Sequence, residues 1–244
     1  MKRWIIPVIL LVLLALAWIF RPYVWAAVSP VVMKFAPRRT VEQRLDQFGA
    51  AARARWKPYF AKAQTPYPPP AVKLVALKTE QVMQVYAVDK SRRSHWIRTY
   101  PILAASGIPG PKLQEGDGQV PEGVYPIESL NPNSRFHVAL RVGYPNTFDR
   151  FQAAREGRTQ LGGDIMIHGS SVSVGCLAMG NEAAEDLFVL AADTGLTNVT
   201  VIIAPVDFRK GKEVPKVVKL PEWSASLYRQ IKTELAGLPP EPSK

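Results

Sequence analysis

The stretch that decides the fold is Ile167-His168-Gly169-Ser170-Ser171-Val172-Ser173-Val174-Gly175-Cys176-Leu177-Ala178-Met179. It predicts a strand that ends on His168, a short loop of serine and glycine, and then a cysteine with a helix opening soon after it. A thiol in such a loop beside an imidazole is a candidate nucleophile, because a neighbouring histidine lowers the thiol pKa from about 8.5. We predict Cys176 as the nucleophile and His168 as its base. Small residues at Gly175 and Ser173 let a substrate carbonyl approach backbone N–H groups that form an oxyanion hole.

Two other interpretations of this stretch are open. A lone cysteine is most often a small buried hydrophobe. Against that, an exported protein retains a free thiol only where it is needed, and a Gly/Ser loop eight residues after a histidine is a poor core environment. Ser173 is the second candidate, since residues 171–175 resemble the G-x-S-x-G nucleophile turn. Ser171, however, stands where that tight turn needs glycine.

The region around the stretch predicts a mainly β domain with one principal helix. Runs rich in Val, Ile and Tyr, separated by Gly and Pro turns, predict strands at 72–79, 82–89, 96–106, 124–130, 136–144, 163–169 and 198–204. The helix is predicted over 181–195, because it starts at Asn181, has an acidic first turn and ends at Gly195.

Two further helices are predicted on either side of this domain. Thr40 and Gln43 have the spacing of a capping box, and apolar residues follow at helical intervals up to Trp56. This basic amphipathic helix either spaces the domain from a membrane or packs on it. The proline-rich residues 66–70 predict a stiff linker and a domain boundary. The basic C-terminal extension predicts a helix near 222–235.

The N-terminus predicts export. Lys2 and Arg3 precede an uncharged, leucine-rich run at residues 4–20, which is longer than most signal-peptide cores and approaches the ~20 residues that span a bilayer. We favour an uncleaved signal anchor over a cleaved signal peptide. The predicted organisation is an anchor or signal at 1–27, a basic helical spacer and linker at 28–70, a catalytic domain at 71–206 and a basic extension at 207–244. The domain is then expected on the periplasmic side of the inner membrane, or soluble in the periplasm after cleavage.

Charge and composition exclude several classes of protein. The net charge is +11, but residues 71–206 hold 12 Lys/Arg against 13 Asp/Glu, whereas residues 1–70 hold 11 against 2. A nucleic-acid-binding domain would carry the basic excess on the folded module itself, so no nucleic-acid partner is expected. One cysteine excludes an internal disulfide, and three histidines far apart disfavour a metal site. We expect no metal and no cofactor.

Three blocks of the chain resemble the L,D-transpeptidase catalytic domain family, also called YkuD. The first is His168-Gly169 followed by Ser173-x-Gly175-Cys176. The second is residues 116–125 (GDGQVPEGVY), similar to the family's G-D-x-x-T-P-x-G-x-F/Y. The third, residues 142–150 (VGYPNTFDR), resembles the YafK-like branch. The likeness runs from about residue 72 to 204.

The resemblance implies a β-rich domain and a Cys/His mechanism on peptidoglycan stem peptides. Cys176 would attack the carbonyl of the L-centre of meso-diaminopimelate and form a thioester, which then passes to an amine of a second stem peptide, to a lysine of a wall-attached lipoprotein, or to water. The branch implies the hydrolytic outcome in particular. A non-catalytic wall-binding protein of the envelope is the alternative from another class. The residues implied to contact substrate are Gly169, Ser170, Ser171, Val174, Leu177, Tyr144 and Asn146.

This sequence departs from the family motif S-H-G-C-I-R at two positions. Val174 replaces the second histidine and Ala178 the arginine. Losing the arginine removes a cation that holds a substrate carboxylate well. Because the same departures belong to the YafK-like pattern, they indicate a different substrate or acceptor for an active enzyme.

Overall fold

A computed structural model describes residues 37–215 and 219–242, and the compact unit begins at Arg39. The predicted anchor at 1–27 and its apolar run lie outside the described residues. Among the helices that the structure describes, none combines the length and the apolar character needed to cross a membrane.

The described residues form one nine-stranded sheet with four α-helices. The helices are α1 (Val41–Lys62), α2 (Thr147–Arg155), α3 (Asn181–Thr194) and α4 (Ser224–Ala236). The strands are β1 (Ala71–Leu77), β2 (Val82–Val88), β3 (Ser94–Pro101), β4 (Ala104–Ala105), β5 (Gly123–Ser134), β6 (His137–Val142), β7 (Met166–His168), β8 (Leu177–Ala178) and β9 (Val199–Ala204). Short 3₁₀ turns lie at Leu196–Asn198 and Phe208–Lys210.

The sheet is mixed, in the order β3-β2-β1-β9-β5-β6-β7-β8-β4. β1 and β9 pair in parallel, as do β7 and β8, and the other neighbouring pairs are antiparallel. The prediction of a β-rich domain is therefore confirmed, in the form of a mixed sheet with several helices.

Both faces of the central strands are buried. In β1, Leu74 belongs to a cluster with residues of α1 and α3, whereas Val75 and Leu77 belong to a second cluster with residues of α4. Such a strand reads as an almost continuous apolar run, because each face has a helix to pack against.

α1 packs on the sheet, which decides between the two predicted roles of this helix. The capping box at Thr40 and Gln43 is present. Trp56 is fully buried, and its indole N–H donates to the carbonyl of Asp186 on α3 at 2.9 Å. Tyr67 of the predicted linker packs against the same core and donates to Asp193 at 2.8 Å.

The C-terminal extension also packs on the sheet, through α4. Leu227, Ile231 and Leu235 of α4 are buried against the sheet face opposite α1. Of the two segments predicted to flank the catalytic domain, the described helices α1 and α4 each cover one face of its sheet.

Two elements differ from their prediction. Residues 147–155, for which no element was predicted, form α2, which Asn146 caps by a reciprocal pair of hydrogen bonds with Asp149. The strand predicted at 96–106 is interrupted after Pro101, because Ile102 donates to the carbonyl of Gln81 and Leu103 to the carbonyl of Ala178. The chain thus moves from one edge of the sheet to the other.

Candidate active site

β7 and β8 bring the predicted nucleophile and base to neighbouring strands. Cys176 directly precedes β8, and its sulfur accepts a hydrogen bond from the N–H of Met166, the first residue of β7, at 3.4 Å. His168 is the last residue of β7. The thiol therefore lies beside the first residue of β7, and the imidazole is carried by its last residue, two positions further along the strand.

The orientation of the His168 ring fixes its tautomer. Nδ1 lies 2.6 Å from the carbonyl oxygen of Gly169, and because a carbonyl only accepts, Nδ1 carries the hydrogen. The lone pair is then on Nε2, which is buried without a hydrogen-bond partner among the described residues. The Phe136 ring stacks on the imidazole with centroids 4.7 Å apart. Burial lowers the pKa of His168, so the ring is neutral at neutral pH.

The thiol is also neutral in this structure. Burial raises the pKa of Cys176, and the nearby Asp164 carboxylate raises it further, against the lowering effects of the Met166 N–H and the Lys112 cation. The S–H donates to the Asp164 carbonyl at 3.6 Å. Nδ1 of His168 is bonded to the Gly169 carbonyl and Nε2 has no partner among the described residues, so neither nitrogen is hydrogen-bonded to the sulfur. The expected lowering of the thiol pKa by an ion pair with His168 is therefore wrong for the described state.

The two amides predicted to bind an oxyanion are occupied by serine hydroxyls. The Gly175 N–H donates to Ser106 Oγ. The Cys176 N–H donates to Ser173 Oγ at 3.1 Å, and the same hydroxyl donates back to the Cys176 carbonyl at 2.7 Å. Both hydrogen bonds of the Ser173 hydroxyl thus hold the loop in place, and the hydroxyl is not free to act as a nucleophile. A substrate oxygen has to displace these bonds to use either N–H.

Two glycines of the loop have steric reasons to be glycine. A Cβ at Gly169 would lie 2.7 Å from the Phe136 carbonyl oxygen and 2.6 Å from Asn181 Oδ1. Gly175 has φ +80°, in the left-handed region that side chains disfavour. Both residues therefore shape the loop through their backbones.

Left-handed residues that are not glycine gather around the thiol and imidazole. Six such residues occur in the described chain, and three of them are His137, Asp164 and Ser170. A conformation of this kind persists only where surrounding contacts impose it, and functional sites are where it collects. The Ser170 N–H donates to Asn181 Oδ1 at 2.9 Å, and the His137 ring contacts Glu185 at 2.8 Å.

The predicted substrate contacts divide into two groups. Ser171 and Val174 are exposed, with Val174 at 84%, and Ser170 is half-buried, so these three can reach a substrate. The other four are held by packing or by hydrogen bonds within the fold, and their contact with substrate stays a prediction. They are Gly169 beside the Phe136 carbonyl, Leu177 in the core, Tyr144 edge-on to Tyr125, and Asn146 at the cap of α2.

Charged groups near the thiol are paired. Lys112 is buried and contacts Asp117 at 2.6 Å, and Arg141 contacts Asp164 at 2.8 Å. His95, on β3, contacts Asp89 at 3.0 Å. Within the described ranges, no three His, Cys, Asp or Glu side chains are grouped so as to hold a metal ion.

Three contributors to the site were not predicted from the sequence: the carbonyl of Gly169, the ring of Phe136 and the hydroxyl of Ser106. Phe136 and Ser106 have no local motif, because strand pairing brings them to the loop. The Gly169 carbonyl has a weak local signal, since it belongs to the residue next to His168 and the backbone here turns it toward Nδ1.

A cavity of about 550 Å³ lies against the segment at 107–119. Ile108, Leu113, Arg158 and Lys219 are among the residues that line it. Neither Cys176 nor His168 is part of its lining, so the geometry gives this cavity no part in the chemistry.

Comparison with known proteins gives a consistent family. The model of the L,D-transpeptidase catalytic domain (YkuD) matches residues 71–203, more than half of the chain. YafK of Escherichia coli strain K12, whose name assigns it provisionally to the L,D-transpeptidases, is 35% identical over 133 residues, covering 52% of this chain and 51% of that protein. The chain thus spans about half the length of the curated relatives it matches.

Two solved structures are more distant. The helical cell shape determining protein Pgp2 from Campylobacter jejuni is 23% identical with a TM-score of 0.46, covering 59% of this chain and 49% of that one. Bd1075 of Bdellovibrio bacteriovorus is 21% identical with a TM-score of 0.41, covering 67% and 54%. At these TM-scores the likeness is too weak to support a conclusion about function.

Proposed function

This chain belongs to the YkuD family of L,D-transpeptidase catalytic domains, and on that premise we propose that it is a cysteine acyltransferase acting on peptidoglycan stem peptides. Cys176 is the nucleophile and His168 the general base. The observation that carries the proposal is the state of His168: Nδ1–H is fixed on the Gly169 carbonyl, and Nε2 holds an unpartnered, buried lone pair on the strand whose first N–H contacts the thiol.

The proposed first half-reaction starts from two neutral groups. Sγ attacks the carbonyl carbon of the diaminopimelate L-centre while its proton passes to Nε2 of His168. The C–N bond then breaks, the imidazolium returns the proton to the leaving amine, and a thioester remains on Cys176. Because burial disfavours both charged forms, proton transfer coincides with attack and no stable thiolate–imidazolium pair precedes it.

The second half-reaction decides between transfer and hydrolysis. An acceptor amine or a water loses a proton to Nε2 as it attacks the thioester, and the C–S bond breaks to restore the thiol. An amine of a second stem peptide gives a cross-link, and water releases a peptide or an attached lipoprotein. Val172 and Val174, in the loop that leads to Cys176, are exposed, so this loop offers an acceptor apolar side chains and no histidine or arginine.

We place this chemistry outside the cytoplasm, on the periplasmic side of the inner membrane. The support is the apolar run at 4–20 after two cations, together with the location of peptidoglycan. Fractionation of cells that produce the protein tests this: we expect a protease-accessible domain in spheroplasts, and complete protection of the domain would contradict it.

Purified muropeptides with a tetrapeptide stem test the function. We expect mass spectrometry to show loss of D-Ala, a cross-linked product or a released peptide with the wild-type protein. Cys176→Ala should abolish every product while its unfolding midpoint stays close to wild type. Equal turnover by the alanine variant would exclude the mechanism.

A non-catalytic wall-binding protein is a second candidate, and one observation favours it. The described state has a thiol of raised pKa and no hydrogen bond between that thiol and His168. Sacculus binding that survives alkylation of Cys176, with no muropeptide product from the unmodified protein at any pH, would support this second function over the first.

A further inference from the structure

Ser106 joins the catalytic loop to a separate segment of the chain. It directly follows β4, whose Ala105 pairs with Leu177 in antiparallel register, so Ser106 lies level with Cys176 at the end of the ladder. Its hydroxyl donates to the Gly118 carbonyl at 2.6 Å and accepts the Gly175 N–H. The single hydrogen of the hydroxyl is used on Gly118, which directs a lone pair at Gly175.

The segment that holds Ser106 is braced by buried polar groups. The Gln119 side chain donates to the carbonyls of Ile108 and Gly110 and accepts the Ile108 N–H at 2.9 Å. The carbonyl of Gln119 lies 3.9 Å from the position of a Cβ on Gly175. This segment is therefore in direct contact with the catalytic loop.

A buried ion pair between Lys78 and Glu122 also holds the segment that follows Ser106. Lys78 contacts Glu122 at 3.1 Å and donates to the carbonyls of Gly110 and Val120. Glu122 is fully buried, and its second oxygen accepts the hydroxyl of Tyr228 on α4 at 2.9 Å. A buried charged group that is fully hydrogen-bonded permits little displacement, because any shift leaves a charge unpaired.

We propose that Ser106 is a positioning residue for the nucleophile: its hydroxyl holds Gly175, and so sets the backbone from which Cys176 faces the substrate carbonyl. Gly175 has a left-handed backbone, which glycine alone does not hold in place because it is the most flexible residue. The bond from Ser106 supplies that restraint. The effect of Ser106 on turnover rests on the proposed function, whereas its effect on the position and reactivity of the thiol does not.

Ser106→Ala, Ser106→Thr and Ser224→Ala test the proposal. Ser224 is a matched control, since it is a serine 3% exposed at the start of α4 and lies outside the site. Each full-length protein is assayed for muropeptide turnover, for alkylation of Cys176 by iodoacetamide between pH 6 and about 9, and for its unfolding midpoint.

For Ser106→Ala we expect opposite changes in muropeptide turnover and in the rate of Cys176 alkylation. Turnover should fall about tenfold or more through kcat with little change in KM, because a misplacement of about 1 Å costs up to 100-fold. Alkylation at neutral pH should rise about threefold, since a freed loop exposes the thiol to water. Ser106→Thr should restore both values, and Ser224→Ala should change neither.

Unchanged turnover and unchanged alkylation in folded Ser106→Ala would overturn the proposal, as would equal changes in Ser224→Ala. If wild type yields no product, the proposed function fails, and the alkylation rates alone decide the role of Ser106.

If Ser106→Ala does not fold, Tyr228→Phe replaces it. The matched control is Tyr86→Phe, which removes a buried hydroxyl elsewhere under the C-terminal extension. A fall in kcat confined to Tyr228→Phe supports the proposal, and equal effects of the two contradict it.

Discussion

At the scale of single residues, the environment of His168 decides how the proposed reaction depends on pH. The ring is sealed between the Phe136 face and the backbone that accepts its Nδ1–H. Because burial lowers the pKa of His168, the base stays unprotonated at pH values where an ordinary histidine, with a pKa of about 6.5, is already charged.

We predict that Phe136→Leu moves the acid limb of kcat/KM to higher pH. A smaller side chain admits water to the ring, so the pKa of His168 rises toward its ordinary value. Phe151→Leu is the control, since Phe151 is exposed on α2. The measurement is the pH profile of turnover from about pH 4.5 to about 8. Coincident acid limbs for wild type and Phe136→Leu would contradict this account of the ring.

Asp149 gives a second residue-scale prediction, on stability. Burial raises its pKa to about 6, although the Asn146 N–H and the Tyr125 hydroxyl lower it. A carboxyl whose pKa is raised by folding binds its proton more tightly in the folded state. Its contribution therefore favours folding at low pH and is lost as pH rises from about 4 to about 6.

Asp149→Asn should remove that slope while retaining an acceptor for the Asn146 N–H. We expect the free energy of unfolding of the variant, relative to wild type, to improve by roughly 2 to 3 kcal/mol between pH 4 and pH 7. Urea titrations of both proteins at several pH values measure the difference. Burial also raises the pKa of Asp186, so it is the difference between the proteins that is informative. Parallel curves would show that Asp149 is not the group responsible.

At the scale of elements, α1 is part of the core that carries the site. Trp56 is fully buried and contacts both Phe60 and Tyr100 edge-on. Trp56→Ala should lower the free energy of unfolding by about 3 to 5 kcal/mol, because it leaves a large cavity and an unpaired Asp186 carbonyl. Lys57→Ala, one residue away on the exposed face, should cost less than about 0.5 kcal/mol. A loss below about 1 kcal/mol for Trp56→Ala would mean that α1 does not pack as described.

Elements with strong local signals were predictable from the sequence. The capping box at Thr40 and the apolar positions up to Trp56 predict α1, and the acidic first turn with Gly195 predicts α3. α2 was missed because its apolar residues do not form a clear stripe. Its cap pairs Asn146 with an aspartate, Asp149, in place of the usual Glu or Gln.

Within the site, the local sequence predicted the reactive pair but few of the residues that hold the pair in place. Cys176 and His168 are marked by their loop. Ser106 lies 69 residues from the Gly175 N–H that it accepts, and only the pairing of β4 with β8 joins them. The direction in which the thiol pKa shifts could not be predicted from the sequence either. It depends on burial and on the nearby Asp164 carboxylate, and tertiary structure sets both.

At the scale of the whole molecule, the family match and the folding unit have different lengths. The match ends at residue 203, yet α4 lies beyond it and buries Val75, Leu77 and Ile202. A fragment of residues 71–206 would lose α4 from one face of the sheet, and from the other face it would lose α1 but keep α3.

We predict that this fragment does not unfold cooperatively, whereas the chain from residue 37 onward does. One face of the sheet loses α4 and the other loses α1, and the apolar area that these two helices bury becomes exposed, which removes most of the stabilisation. Thermal unfolding followed by circular dichroism, together with binding of a hydrophobic dye, compares the two. A cooperative transition of the fragment at the temperature of the longer chain would contradict the prediction.

The start of α1 is tied to the hairpin of β5 and β6. The Arg39 N–H donates to the Asn133 side chain at 2.8 Å, the Asn133 amide donates back to the Arg39 carbonyl at 2.7 Å, and Arg44 donates to the Pro132 carbonyl. Phe136 belongs to the same hairpin. A mechanical load applied to the chain ahead of residue 37 would therefore act on the hairpin that carries Phe136, the ring that covers the imidazole.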